Sequence, residues 1–185
     1  MRELQSLLGC TLGSPEWDSY IGSKQMEINT YPDIHFYNSR AEALSFQFLP
    51  DNQTSDGTLV TIDVYNGQRK WGQYPNFPIV ISWLSGDDAK TFHVTDSTRA
   101  IDLVEQFGEP VRKGGGGGSG LSGKAFGPAL WMEWCLDTPL PSTPKIYLLV
   151  EMGGEAARAP DRWESGRGSH AVWATLSLST QPPKT

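Results

Sequence analysis

The sequence predicts an α+β domain, antiparallel and sheet-rich, built from two related helix-then-sheet halves. Three observations carry this. Apolar and polar residues alternate in several short runs, the mark of half-buried strands. Twenty glycines and thirteen prolines in 185 residues imply many turns, which suits a sheet more than a helical bundle. Seven tryptophans, six tyrosines and seven phenylalanines bring the aromatic share to 11%, and large rings favour strands and interfaces.

Leu4, Leu7 and Leu8 stand at helical spacing, so residues 2–9 read as a short helix ended by Gly9, Gly13 and Pro15. A strand is expected at 34–37. Another runs over 43–49, with Leu44, Phe46 and Phe48 on one side and Ser45 and Gln47 on the other. The run 58–64 alternates through Val60, Ile62 and Val64. Asn66-Gly67 then signals a hairpin with a return strand at 69–74, because both residues accept positive φ. A further strand is expected at 79–84. Residues 97–107 carry the best helical pattern, with Ala100, Leu103, Val104 and Phe107 on one face. Asp96, Ser97 or Thr98 supplies the cap, and Gly108 with Pro110 supplies the stop. The glycine-dominated tract 114–120 reads as a flexible connection. The runs 130–136 and 146–152 are apolar on both faces and suit central strands, and 171–178 follows as another. A long polar loop spans 153–169, and 181–185 is a tail.

The same order appears twice. Leu4 to Pro15 (LQSLLGCTLGSP) and Ile101 to Pro110 (IDLVEQFGEP) each run from an apolar helix end into Gly-x-Pro. ALSFQF at 43–48 parallels ALWMEW at 129–134, and TLVTIDV at 58–64 parallels AVWATLSL at 171–178. The spacing suggests pseudo-repeats over 1–95 and 96–180 within one domain, with a period of roughly 90 residues. Such tandem helix-plus-sheet units resemble the β-lactamase-inhibitor-protein and outer-membrane-assembly-lipoprotein folds. LGSP (12–15), FYNSRAEALSFQF (36–48) and LVTIDVYNGQRKWGQYP (59–75) together are similar to a segment of the phagophore assembly factor family. Both resemblances imply a non-catalytic binding surface, and neither brings a catalytic motif.

Charge narrows the partners. The net charge is −6, and it is uneven: 7 Lys/Arg against 15 Asp/Glu in residues 1–110, and 8 against 6 in 111–185. An acidic first half argues against nucleic acid, which needs a basic stripe. No apolar run reaches the roughly 18 residues of a membrane span, and Leu-Leu-Gly-Cys at 7–10 lacks the apolar region that a lipoprotein signal needs. A cytoplasmic location is expected. Cys10 and Cys135 are too few for a disulfide framework and are expected as buried free thiols.

The remaining motifs carry little chemistry. Gly118 to Lys124 fits the phosphate-loop pattern G-x-x-x-x-G-K, but Ala125 replaces the magnesium-binding hydroxyl and Gly127-Pro128 prevents the following helix. No nucleotide or other cofactor is expected. His35, His93 and His170 lack metal-ligand spacing, and a Cys135–His170 thiol–imidazole pair is the one nucleophile the sequence offers. The favoured function is a protein-binding module, adaptor- or inhibitor-like. Its expected contact residues are Trp71, Tyr74, Phe77 and Trp163 as aromatic anchors, with Arg158, Arg162 and Arg167 as a basic rim. That arrangement suits an acidic protein, or an anionic lipid headgroup, as the resemblance to the phagophore assembly factors implies. A toxin-neutralising immunity-type protein, and a small enzyme using the Gly-rich loop or Cys135, are the alternatives.

Overall fold

In the computed structural model, residues 4–50, 57–67, 71–115, 129–140, 143–158 and 168–182 are described. A 3-10 turn at Leu4–Leu7 leads into α1 (Pro15–Ile21). Four strands follow: β1 (Glu27–Tyr31), β2 (Ile34–Ser39), β3 (Leu44–Leu49) and β4 (Thr58–Tyr65). A separate hairpin, β5 (Ile79–Ser85) and β6 (Asp88–Val94), precedes α2 (Ala100–Phe107). Then come β7 (Arg112–Gly114), β8 (Trp131–Asp137), β9 (Lys145–Met152), a 3-10 turn at Gly168–His170, and β10 (Trp173–Ser179). All the ladders are antiparallel, and eight strands form one sheet in the order β1-β2-β3-β4-β10-β9-β8-β7. This is the expected α+β class. A helix followed by four strands lies on each side of the β4–β10 seam, and among the described residues the β5–β6 hairpin has no counterpart in the first half. Strand position sets β4 against β10, but it sets β3 against β9, whereas the sequence parallel joins β3 to β8.

One sheet face is the core. Phe46, Ile62, Val64, Leu176, Leu178, Leu148, Val150 and Trp134 are buried there. Trp17 of α1 docks on it edge-on to Phe46 and Phe48, with centroids 5.1 and 4.8 Å away. Phe107 of α2 sits between Trp83 of β5 and Trp134 of β8. Gln5 is fully buried and acts as a one-residue strand partner. Its Nε2 donates to Ser82 O at 2.9 Å, and its Oε1 accepts from Ser82 N at 2.9 Å.

Several local expectations change. The first helical pattern is a 3-10 turn that buries Leu4, Leu7 and Leu8 together with Gln5. Pro15 begins a helix rather than ending one. Ser14 is extended and its Oγ accepts from Trp17 N, while Pro15 fills a first-turn position where no N–H is needed. Residues 71–74 form no return strand, because β4 already has β3 on one side and β10 on the other; only an Asn66–Gln73 bridge remains, and 68–70 lie outside the described residues. β8 is apolar on one face only, since Glu133, Cys135 and Asp137 alternate with Met132, Trp134 and Leu136. It lies beside the edge strand rather than centrally. The start of the glycine tract is β7, where Gly114 is required: a Cβ there would enter the Trp131 ring.

Candidate functional site

Strand pairing carries side chains across the second face of the sheet in continuous rows. The middle row runs Glu27, Asn38, Ser45, Asp63, Ser177, Leu149, Glu133 and Arg112, one residue from each strand. On one side lies the row Tyr65, Thr175, Glu151, Trp131 and Gly114. On the other lies Asn29, Phe36, Gln47, Thr61, Ser179, Tyr147 and Cys135. Among the described residues, α1 meets the opposite, apolar face through Trp17, and α2 meets it through Phe107 on Trp134, with Trp83 and Phe92 of the β5–β6 hairpin packed on the same Phe107. This open face mixes half-buried Phe36, Tyr65, Trp131, Tyr147 and Leu149 with short polar side chains.

The charges on this face have a pattern. Near the rims each carboxylate has its own cation: Glu27 with Arg40 at 2.7 Å, Glu133 with Arg112 at 3.6 Å, and Asp137 with Lys145 at 3.4 Å. At the centre, the donors to Asp63 among the described residues are neutral. Gln47 Nε2 donates to its Oδ2 at 2.7 Å and Ser177 Oγ donates to its Oδ1 at 2.5 Å. Burial pushes the Asp63 carboxyl above its ordinary range, against the pull of these two hydrogen bonds. Burial also raises the Tyr65 phenol, with the Asp63 and Glu151 carboxylates adding to the rise. No ion pair among the described residues reaches Asp63 or Glu151.

The residues expected to bind are divided by the fold. Trp71 is half-buried and stacks flat on Tyr65, with centroids 4.1 Å apart and planes 9° apart, so it joins one end of the open face. Tyr74 is not a surface anchor. It is 7% exposed and belongs to the core. Phe77 likewise turns inward, edge-on to Tyr74 and Trp173. Proline-flanked aromatics look alike in sequence whether they cap a core or a surface, and the distant Trp173 decides here. Arg158 is exposed, next to Ala157, whose carbonyl accepts from Leu130 N; this places it near Trp131, in the same row as Tyr65. Arg162, Trp163 and Arg167 lie outside the described residues, as does the phosphate-loop pattern at 118–124.

The thiol expectations change as well. Both cysteines are free, but Cys135 is exposed, because strand parity sets it on the open face. It pairs across the ladder with Tyr147, while His170 lies in the turn that packs on α2, before β10 begins. Cys135 and His170 therefore lie toward opposite ends of the strands and form no thiol–imidazole pair. Burial pushes the Cys10 thiol up to about 11, with Glu16 adding to the rise, which keeps it protonated and unreactive. No group of three or more metal-ligating side chains occurs among the described residues, and no helix there is long and apolar enough to cross a membrane. Comparison with family models, curated proteins and solved structures finds no match.

Proposed function

We propose that this chain is a non-catalytic protein-binding module that holds its partner on the open face of the eight-stranded sheet. The observation that carries this is the composition of that face: half-buried aromatic rings interleaved with short polar groups on the side of the sheet away from both helices. Rigid rings on a rigid sheet lose little conformational entropy when a partner docks, and the hydroxyls and amides between them adapt to its polar groups. The partner is one that presents basic side chains. Among the described residues Asp63 and Glu151 have no cation of their own, and a partner's lysine or arginine would supply the charge that the rim carboxylates find within the chain. This reading differs from the acidic partner that the arginines of 158–167 suggest, of which Arg162 and Arg167 lie outside the described residues. An immunity-type protein against a basic toxin is a special case of the same surface.

The test is affinity capture on the purified chain, with crosslinking and mass spectrometry to place the contact. Crosslinks concentrated on β2, β3, β4, β9 and β10, with capture lost in Trp71→Ala and weakened by salt, support the reading. Capture that maps to the helix side would overturn it. So would flotation with anionic vesicles in the absence of any captured protein.

A further inference from the structure

We propose that two copies of this chain pair antiparallel through β1, centred on Asn29, so that their sheets join into one. Strand β1 is an outer edge of the sheet. Its five residues, Glu-Ile-Asn-Thr-Tyr, contain no lysine, proline or bulge, the devices that usually blunt an edge. Its one charge, Glu27, is held by Arg40 of its own chain, with Arg40 Nε donating at 2.8 Å. Ile28 is 56% exposed and Tyr31 is 54% exposed, so two of the large hydrophobic side chains most open to solvent lie on this one strand. The opposite edge differs. β7 has only three residues and carries Arg112 and Lys113.

The hydrogen-bonding phase of β1 selects the register. The two-residue turn Pro32-Asp33 closes the β1–β2 hairpin on the Tyr31–Ile34 pair. Tyr31, Asn29 and Glu27 therefore direct their backbone groups to β2, and Ile28 and Thr30 direct theirs outward. A second copy centred on Asn29 brings its own Thr30 opposite Ile28 and its Ile28 opposite Thr30. Every outward N–H and C=O of those residues then finds a partner. On the open-face side, Tyr31 of each copy meets the Glu27–Arg40 pair of the other, and no like charges stand opposite each other. Pairing by any other even step leaves an outward donor or acceptor of this short strand unmatched. The interface is isologous, so it closes at two copies and leaves both open faces free.

The purified full chain, alone, is taken through a concentration series by sedimentation equilibrium and light scattering. The expected result is a mass that rises from one chain to two across the micromolar range. Ile28→Lys sets a charge on the joining strand, and Thr30→Pro removes an outward N–H that β2 does not use. Both should stay folded by circular dichroism and remain single chains throughout, while Thr30→Val should still pair. A wild-type chain that stays monomeric throughout, a dimer that survives both substitutions, or a monomer whose edge takes up another protein's strand would each overturn the proposal. None of these outcomes bears on whether the open face binds a partner.

Discussion

Replacing Trp17 with alanine should detach α1 from the sheet. Trp17 is the one buried residue of that helix, and it is 4% exposed. It meets Tyr37, Phe46 and Phe48 edge-on, with centroids 5.8, 5.1 and 4.8 Å away. Burying about 200 Å² of ring at about 25 cal/mol per Å² is worth about 5 kcal/mol as an upper bound, and truncations of buried Phe or Trp cost about 3–5 kcal/mol. An expected loss of about 4 kcal/mol corresponds to a fall in Tm of about 8–16 °C for a chain of this size. Urea unfolding followed by circular dichroism measures it free of the change in tryptophan fluorescence. Trp17→Phe, which keeps a ring against Phe46 and Phe48, should lose less than half as much. A loss below about 1.5 kcal/mol for Trp17→Ala, within the range of an average substitution, would show that α1 is held by something other than this ring.

Other substitutions separate core from surface. Trp71→Ala removes a half-buried stack on Tyr65 and should cost about 1 kcal/mol of stability, yet at least about 2 kcal/mol of partner binding, roughly 30-fold in Kd; equal loss in both would place Trp71 in the core. Gln5→Leu leaves Ser82 N and O without their partner and should cost about 2–3 kcal/mol in a urea titration, whereas an unchanged midpoint would mean that β5 is positioned without Gln5. Asp63 is half-buried, and the desolvation of its carboxyl raises its pKa above the ordinary value of 3.8. The stability linked to its protonated form is complete below that value and is lost as pH rises through the raised one. Asp63→Asn should therefore have the flatter Tm profile from acid toward neutral pH and the higher Tm at neutral pH. Parallel profiles would refute the shift.

The strands that the sequence revealed are those whose two sides differ. Leu44, Phe46 and Phe48 against Ser45 and Gln47 give both the strand and its inward face, and Val60, Ile62 and Val64 do the same for β4. β1 and β6 gave no such signal. Their residues are mostly exposed on both sides, because one forms the sheet edge and the other the outer half of a hairpin. Helix α1 was hidden by Pro15, which stops a helix at most positions and starts one just after a capping Ser14. Cys135 was legible by parity. Met132, Trp134 and Leu136 are the even set, and Glu133 marks the other side as polar. The aromatic density of the run 131–136 masks that alternation.

The open face was not legible, because no segment of the sequence contains it. Asp63 takes one hydrogen bond from Gln47 of the first half and the other from Ser177, 114 residues along the chain. The central row crosses from β4 to β10 only because the last strand returns to the seam between the two halves. Neither half alone supplies both donors to this carboxylate or a continuous surface beside it. Separating the halves would expose Asp63 to water and free it from the burial that raises its pKa. The face with its central carboxylate is thus a property of the joined sheet, which is why residue types and spacing point to Tyr74 and Phe77 while the structure turns those two rings into the core.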